Sequence, residues 1–169
     1  AFASPIDYNY NLIMDVIDSI FSELKSLKII IKPHPRESIK KYLKIESFYK
    51  NSYDISINQE KFENILEEID LVISRTSTVL QTAILSGTPC ISYLEKYPKE
   101  VISRLIYLNT NATSKCLNRE ELKNYITSFT LEKNRRDIFK EFKKNRKDFI
   151  DEFFNFKNNF QSIMELLNN

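Results

Sequence analysis

Glycine is nearly absent from this chain. Gly87 is the only one among 169 residues. That excludes a GxGxxG dinucleotide loop and a P-loop, since each needs several glycines to bring backbone close to phosphate. Histidine is equally scarce: His34 stands alone, which excludes a multi-histidine metal site and leaves a Ser-His-Asp triad one possible base. The two cysteines, Cys90 and Cys116, lie in separate segments without metal-ligand spacing. They fit free thiols in a reducing compartment better than a disulfide framework. The longest apolar runs, such as Leu27 to Ile31 with Lys28 inside it, are far too short to span a bilayer. The opening Ala1-Phe2-Ala3-Ser4-Pro5 lacks the basic residues and apolar core of a signal peptide. It also lacks an initiator Met, so a processed or excised fragment is expected. Charge of one sign is missing too. Twenty-five basic residues against 23 acidic leave a net +2, so any basic function must come from local clustering.

What is present is an ordinary globular composition, 42% hydrophobic and 28% charged. The length suits a single domain over residues 1–169 and is small for a two-domain enzyme. Tyr10 to Leu27 carries Leu12, Ile13, Val16, Ile17, Ile20, Phe21 and Leu24 at helical spacing, with Asp15 and Asp18 between them. Lys28 to Lys32 is a β-branched run stopped by Pro33 and predicts a buried strand. A polar helix is expected over 37–48, a strand over 53–57 and a short amphipathic helix over 59–69. Asp70 to Ile73 predicts a third strand, and Thr76 to Ser86 a helix closed by Gly87 as its C-terminal cap. Pro89 to Tyr93 predicts a fourth strand. A helix is expected near 98–104, and Asn118 reads as the N-cap of another running to about Phe129.

Strict alternation of helices and strands implies right-handed crossovers and a parallel sheet. The expected fold is therefore α/β, a Rossmann-like parallel sheet with helices on both faces and a C-terminal helical region over 131–169. In that region Phe139, Phe142, Phe149, Phe153, Phe156, Phe160, Ile163 and Leu167 follow a three-four spacing broken at Arg146. The stripe reads as a long amphipathic helix packing on the sheet or on a partner domain. Eight basic residues between Lys133 and Lys147 add a second reading, peripheral contact through 133–160 with an anionic membrane surface. Asp137 and Glu141 dilute the field, so nucleic acid is not an expected partner.

In such sheets ligands bind beyond the carboxyl ends of the strands, and two loops there carry chemistry. The first is Lys32-Pro33-His34-Pro35-Arg36-Glu37. Prolines on both sides fix the backbone and hold His34 between Lys32 and Arg36. An imidazole there can donate to a phosphate oxygen and stabilise the charge of a departing nucleotide; the plainer alternative is a histidine capping a turn. The second is Ser74-Arg75-Thr76-Ser77-Thr78. Backbone N–H groups at a helix start, together with several hydroxyls, make a ready anion site. Its plainer alternative is N-capping, which needs only one hydroxyl. Arg75 either adds a charged contact or points to solvent. Tyr93 either lines a base or ribose pocket or packs in the core. No aspartate-rich metal cluster is evident, so a metal-independent reaction without a cofactor is expected.

Lys32-Pro33-His34-Pro35, followed some forty residues later by a strand and Ser77-Thr78, resembles the paired His-Pro and Ser-Ser/Thr motifs of bacterial sialyltransferases. The stretch from Ser74 to Pro89 looks like the corresponding region of that group. Similar pairs occur in polysialyltransferases, capsule-linker Kdo transferases and CDP-glycerol glycerophosphotransferases, and the resemblance covers about residues 28 to 93. It implies the C-terminal, donor-binding half of a two-domain B-fold glycosyltransferase, acting in the cytoplasm or at the inner face of its membrane. Its substrates would be a CMP-linked sugar and a surface glycan acceptor of the lipooligosaccharide or capsule type. By the same resemblance His34 would assist departure of CMP while Ser77 and Thr78 hold its phosphate. The family's catalytic base lies in an acidic-acidic-Gly motif of the N-terminal half. Here Glu67-Glu68 is followed by Ile69, so no base carries over, and the other half or a partner chain would have to supply it. A UDP-sugar epimerase-like domain and a non-catalytic nucleotide-binding module are the alternatives.

Overall fold

The computed structural model of the chain describes residues 5–19, 27–34 and 37–167. Helix α1 (Pro5–Ser19) precedes β1 (Lys28–Ile31), α2 (Lys40–Tyr49), β2 (Asp54–Ile57) and α3 (Phe62–Ile65), which runs into a 3-10 turn at Leu66–Glu68. Then follow β3 (Val72–Ser74), α4 (Thr78–Ser86), β4 (Cys90–Tyr93), α5 (Lys99–Ile102), α6 (Ile106–Asn109), β5 (Ser114–Cys116), α7 (Arg119–Thr130) and α8 (Glu132–Leu167). The fold is α/β, as the alternation requires. Every strand pair is parallel, but the strands form two small sheets, β1-β2 and β3-β4-β5.

Apolar side chains bind the two sheets into one body. Ile31 of β1 and Ile55 of β2 share a buried cluster with Ile91 and Tyr93 of β4 and Cys116 of β5. Leu12 and Ile17 of α1, Tyr42 and Ile45 of α2, and Leu122 and Ile126 of α7 complete it. A second cluster takes Val72 and Cys90 from β3 and β4, Leu80 and Ile84 from α4, Leu108 from α6, and Phe142 and Phe149 from α8. The period-two geometry of a strand explains the split: Cys90 faces one cluster, Ile91 and Tyr93 the other. The three-stranded sheet is thus covered on both faces, and all four residues of β4 are buried.

Several boundaries depart from expectation for local reasons. The first helix agrees over 10–19, and its expected continuation falls outside the described residues. Helix α2 starts at Lys40 rather than Glu37, because Glu37 is occupied in closing the turn before it. The expected helix over 59–69 shrinks to α3 and the 3-10 turn. There the Asn58 side chain accepts from the Glu60 N–H at 2.7 Å, a local turn that competes with helix. Helix α4 begins at Thr78, capped by the Ser77 side chain, which accepts from the Val79 N–H. Gly87 closes it in the left-handed region at φ 93°. Helix α6 and strand β5 were not expected: Ser114-Lys115-Cys116 is too short and polar to show alternation.

The C-terminal stripe is one 36-residue helix, α8, about 54 Å long at the α-helical rise. Phe142 and Phe149 are buried against the body. The interruption at Arg146 has a use. Its Nε donates to the Ile84 carbonyl at 2.7 Å and a terminal guanidinium nitrogen donates to the Leu85 carbonyl at 2.6 Å. Those oxygens belong to the last turn of α4, where carbonyls run short of intrahelical donors; the Ile84 carbonyl also accepts from the Gly87 N–H at 3.1 Å. Of the basic residues between Lys133 and Lys147, Arg146 therefore turns inward, and Arg136 pairs with Glu132 on its own helix. Among the described residues no helix is long and apolar enough to cross a membrane.

Candidate functional site

The parallel pairing puts the carboxyl ends of β3, β4 and β5 on one edge, and that of β1 on the corresponding edge of its own sheet. Both sequence-predicted loops sit at such ends.

The loop after β1 is organised by a residue to which the sequence assigned no role. The Glu37 side chain is 4% exposed. It accepts from the His34 backbone N–H at 2.9 Å and from the Tyr42 hydroxyl at 2.9 Å, and pairs with Lys41 at 3.7 Å. The Glu37 N–H in turn donates to the His34 carbonyl at 2.8 Å. This reciprocal i, i+3 closure is the bonding logic of a capping box. It holds the His34 backbone while leaving its imidazole on the exposed surface. Burial, and then the Glu37 hydrogen bond, hold the Tyr42 hydroxyl well above its ordinary pKa. Lys32 is half-buried. Pro35 and Arg36 lie outside the described residues.

The loop after β3 is held from three directions. Ser74 ends the strand. The buried Ser92 hydroxyl donates to the Arg75 carbonyl at 2.8 Å, and Thr76 shares a hydrogen bond with the Tyr97 hydroxyl at 2.8 Å. Ser77 caps α4. Thr78, the first residue of that helix, has the exposed side chain of this loop. Of the hydroxyls expected to meet an anion, those of Thr76 and Ser77 thus have structural bonds as well.

Arg75 does not point to solvent. It is 7% exposed, lies over the Tyr93 ring at 5.4 Å and donates to the Glu95 carbonyl at 3.2 Å. Tyr93 is fully buried, which is the core placement among its two expected roles, yet its hydroxyl has a polar setting. It lies 3.2 Å from Asp15 Oδ2 and 3.0 Å from Glu95 Oε2, so one hydrogen faces two carboxylate acceptors. Burial first, and those acceptors next, raise its pKa. Arg119 reaches Asp15 at 3.4 Å and also bonds Asp18.

These groups border a cavity of about 300 Å³ beyond β3, β4 and β5, lined by Arg75, Glu95, Lys96 and Arg119 with Asn11, Met14, Asp15 and Asp18 of α1. Its charged lining balances: three cations face three carboxylates. Lys96 holds φ 59°, a conformation that non-glycine residues adopt mainly in tight turns. The sequence had shown Asp15 and Asp18 as acidic positions between the apolar residues of the first helix, a signal of polarity but not of a site. Glu95 and Arg119 gave no such signal, because their meeting depends on β5.

The structure therefore brings Arg75 and Tyr93 together, arranges Ser77 and Thr78 at a helix start, and sets His34 on a braced turn at the end of the other sheet. Among the described residues no group of three or more His, Cys, Asp or Glu side chains is placed to hold a metal. Compared with family models, curated proteins and solved structures, the chain gives no match.

Proposed function

We propose that this chain is the donor-binding domain of an inverting glycosyltransferase that takes its sugar from a cytidine nucleotide. The observation that supports this most is the placement of two phosphate-suited loops. Ser77 and Thr78 open a nine-residue helix after β3, and His34 sits on a fixed turn after β1, both at carboxyl ends of parallel strands. In the finer fold that this reading requires, β1-β2 and β3-β4-β5 are two parts of one Rossmann-like layer with its ligand at the shared edge.

In the reaction an acceptor hydroxyl attacks the anomeric carbon from one face while the bond to the phosphate oxygen breaks on the other. The electron pair leaves on CMP. Charge grows on the phosphate at that moment, where an imidazole donor and the N–H groups of a helix start are most useful. The base that takes the acceptor's proton would come from the other half of the enzyme. CMP-sialic acid is the leading donor, with CMP-Kdo and CDP-glycerol as alternatives, and a surface glycan the acceptor.

Calorimetric titration of the chain with CMP, CDP and UMP tests the reading. Ser77 also caps α4, so Ser77→Gly, which costs only a few tenths of a kcal/mol as a cap, is the appropriate variant beside Thr78→Val and His34→Ala. Cytidine-selective binding weakened about tenfold or more in His34→Ala is expected, the loss of one charge-assisted hydrogen bond. A folded chain that binds UMP as well as CMP, or neither at about millimolar Kd, would sink the proposal.

A further inference from the structure

Charge on α8 is sorted by sign. At the helical turn of about 100° per residue, Lys133, Arg136, Lys140, Lys143, Lys144 and Lys147 fall within one arc of about 100°. All of them are exposed, and the stripe they form is about 21 Å long at the α-helical rise. Asp137, Glu141 and Asp148 gather on the other outward flank. The apolar arc, with Arg146, lies on the inner side between the two flanks.

A merely solvated helix gains from opposite charges one turn apart. This stripe instead sets like charges at i, i+4: Arg136 with Lys140, Lys140 with Lys144, and Lys143 with Lys147. Such pairs destabilise a helix by themselves. Arg136 has Glu132 as a partner. Asp137, Asp148 and Asp151 stand four residues after Lys133, Lys144 and Lys147, yet none of the stripe's lysines forms an ion pair with a described residue. The stripe is also fixed in place. Phe142 and Phe149 are buried on the inner side, and Asn145 and Arg146 bond to carbonyls of the body. Its far end carries an apolar group: Phe154 lies on the same arc and is 50% exposed. That ring stands edge-on to Phe153, which packs on the second core cluster.

We infer that this flank of α8 is a docking surface for a membrane rich in anionic lipid. The lysines lie over the head groups, and Phe154 enters at the head-group boundary. A straight, convex row of cations fits a plane. Lysine acts as a point charge suited to a diffuse negative surface, whereas arginine is favoured for gripping single phosphates. Nucleic acid fits less well. No aromatic stands between the cations to stack a base, and no amide or hydroxyl side chain on the arc is there to read base edges.

The inference rests on no part of the donor reading, and CMP should leave it unchanged. The full chain is co-sedimented with vesicles of phosphatidylcholine alone, and of equal parts phosphatidylcholine and phosphatidylglycerol. Binding to the anionic vesicles only, lost as salt approaches about 1 M, is expected. Each lysine near such a surface contributes about fivefold. Lys140→Gln/Lys143→Gln/Lys144→Gln, which also relieves like-charge pairs within α8, should therefore weaken binding on the order of a hundredfold. Lys61→Gln/Lys99→Gln/Lys123→Gln removes the same charge from exposed positions elsewhere and should leave most of the binding. The chain has no tryptophan, so Phe154→Trp reports on its own position, and its emission should move to the blue with anionic vesicles only. No binding to those vesicles, equal losses in the two triple variants, or emission unmoved by vesicles that are bound would overturn the inference. So would tighter binding to a single-stranded oligonucleotide than to vesicles at the same salt.

Discussion

Glu37 illustrates how much one carboxylate can organise. It stabilises the turn that holds His34, accepts from the Tyr42 hydroxyl and meets Lys41, all with its side chain nearly buried. Removing it leaves a backbone N–H and a phenol without their acceptor. Hydrogen bonds to charged groups contribute about 1.5–3 kcal/mol each, so Glu37→Ala should lose at least about 2 kcal/mol in urea unfolding. Tyr42→Phe removes only one of these bonds and should lose less. If Glu37→Ala is as stable as the parent chain, the carboxylate does not hold this turn. In the proposed donor site Glu37 acts through His34, so its loss should weaken CMP binding without altering preference for cytidine over uridine.

Elements here are finished by particular residues at their ends, and α4 has two such ends. Its C-terminus depends on Gly87 and on Arg146 from another helix. A Cβ at residue 87 would meet nothing within 4 Å, so Gly87→Ala should cost only the left-handed conformation, about 1–2 kcal/mol. Thermal unfolding measures it, and Gly87→Asn should cost less because asparagine tolerates that region. Arg146→Met would complete the apolar stripe of α8, and a reading from periodicity alone would make it stabilising. The Leu85 carbonyl would lose its Arg146 donor and the Ile84 carbonyl one of its two, so a loss of about 1–2 kcal/mol is expected instead. A more stable Arg146→Met would refute the capping role. The case also shows where the sequence is legible. Gly87 and Asn118 marked α4 and α7 by their caps, and short apolar runs the first four strands. Spacing of apolar residues located α1 and α8, since burial of one face imposes a period. It could not place Arg146, whose partners lie some sixty residues earlier. Nor could it find Asp15, Glu95 and Arg119 as neighbours, which requires the unforeseen β5. The two loops were visible because their chemistry is local: proline on either side of His34, and a capping serine before a helix.

At the scale of the whole molecule, the buried titrating groups give stability a direction with pH. Burial pushes the Cys90 and Cys116 thiols from 9.0 up to about 12, with Glu121 adding to the second. Burial, then Tyr97, raises Tyr107 from 10.0 to about 12. In each case the folded chain holds the proton more tightly than the unfolded one. Their contribution is complete below the unfolded values and is lost as pH rises through the folded ones. Unfolding free energy from these groups should thus be flat from about pH 7 to 8.5 and fall steadily between about pH 9 and 12. Urea midpoints across that range check it. A chain whose midpoint does not fall by about pH 11 would show these groups to be less protected than their burial implies.

The division of the strands into two sheets has a mechanical meaning. A backbone ladder fixes its strands to a common spacing near 4.8 Å, whereas packed side chains are matched by shape and can slide in small steps. His34 stands at the end of β1-β2 and Thr78 follows β3-β4-β5, so the distance between them is set by the second kind of joint. In the proposed donor site the two loops are the jaws of a vice whose hinge is the packing of Ile31 and Ile55 on Ile91. A phosphate drawn between them would tighten the core behind it, and protection of the β1 and β3 amides from hydrogen exchange would rise with ligand along each strand, beyond the loop that meets it.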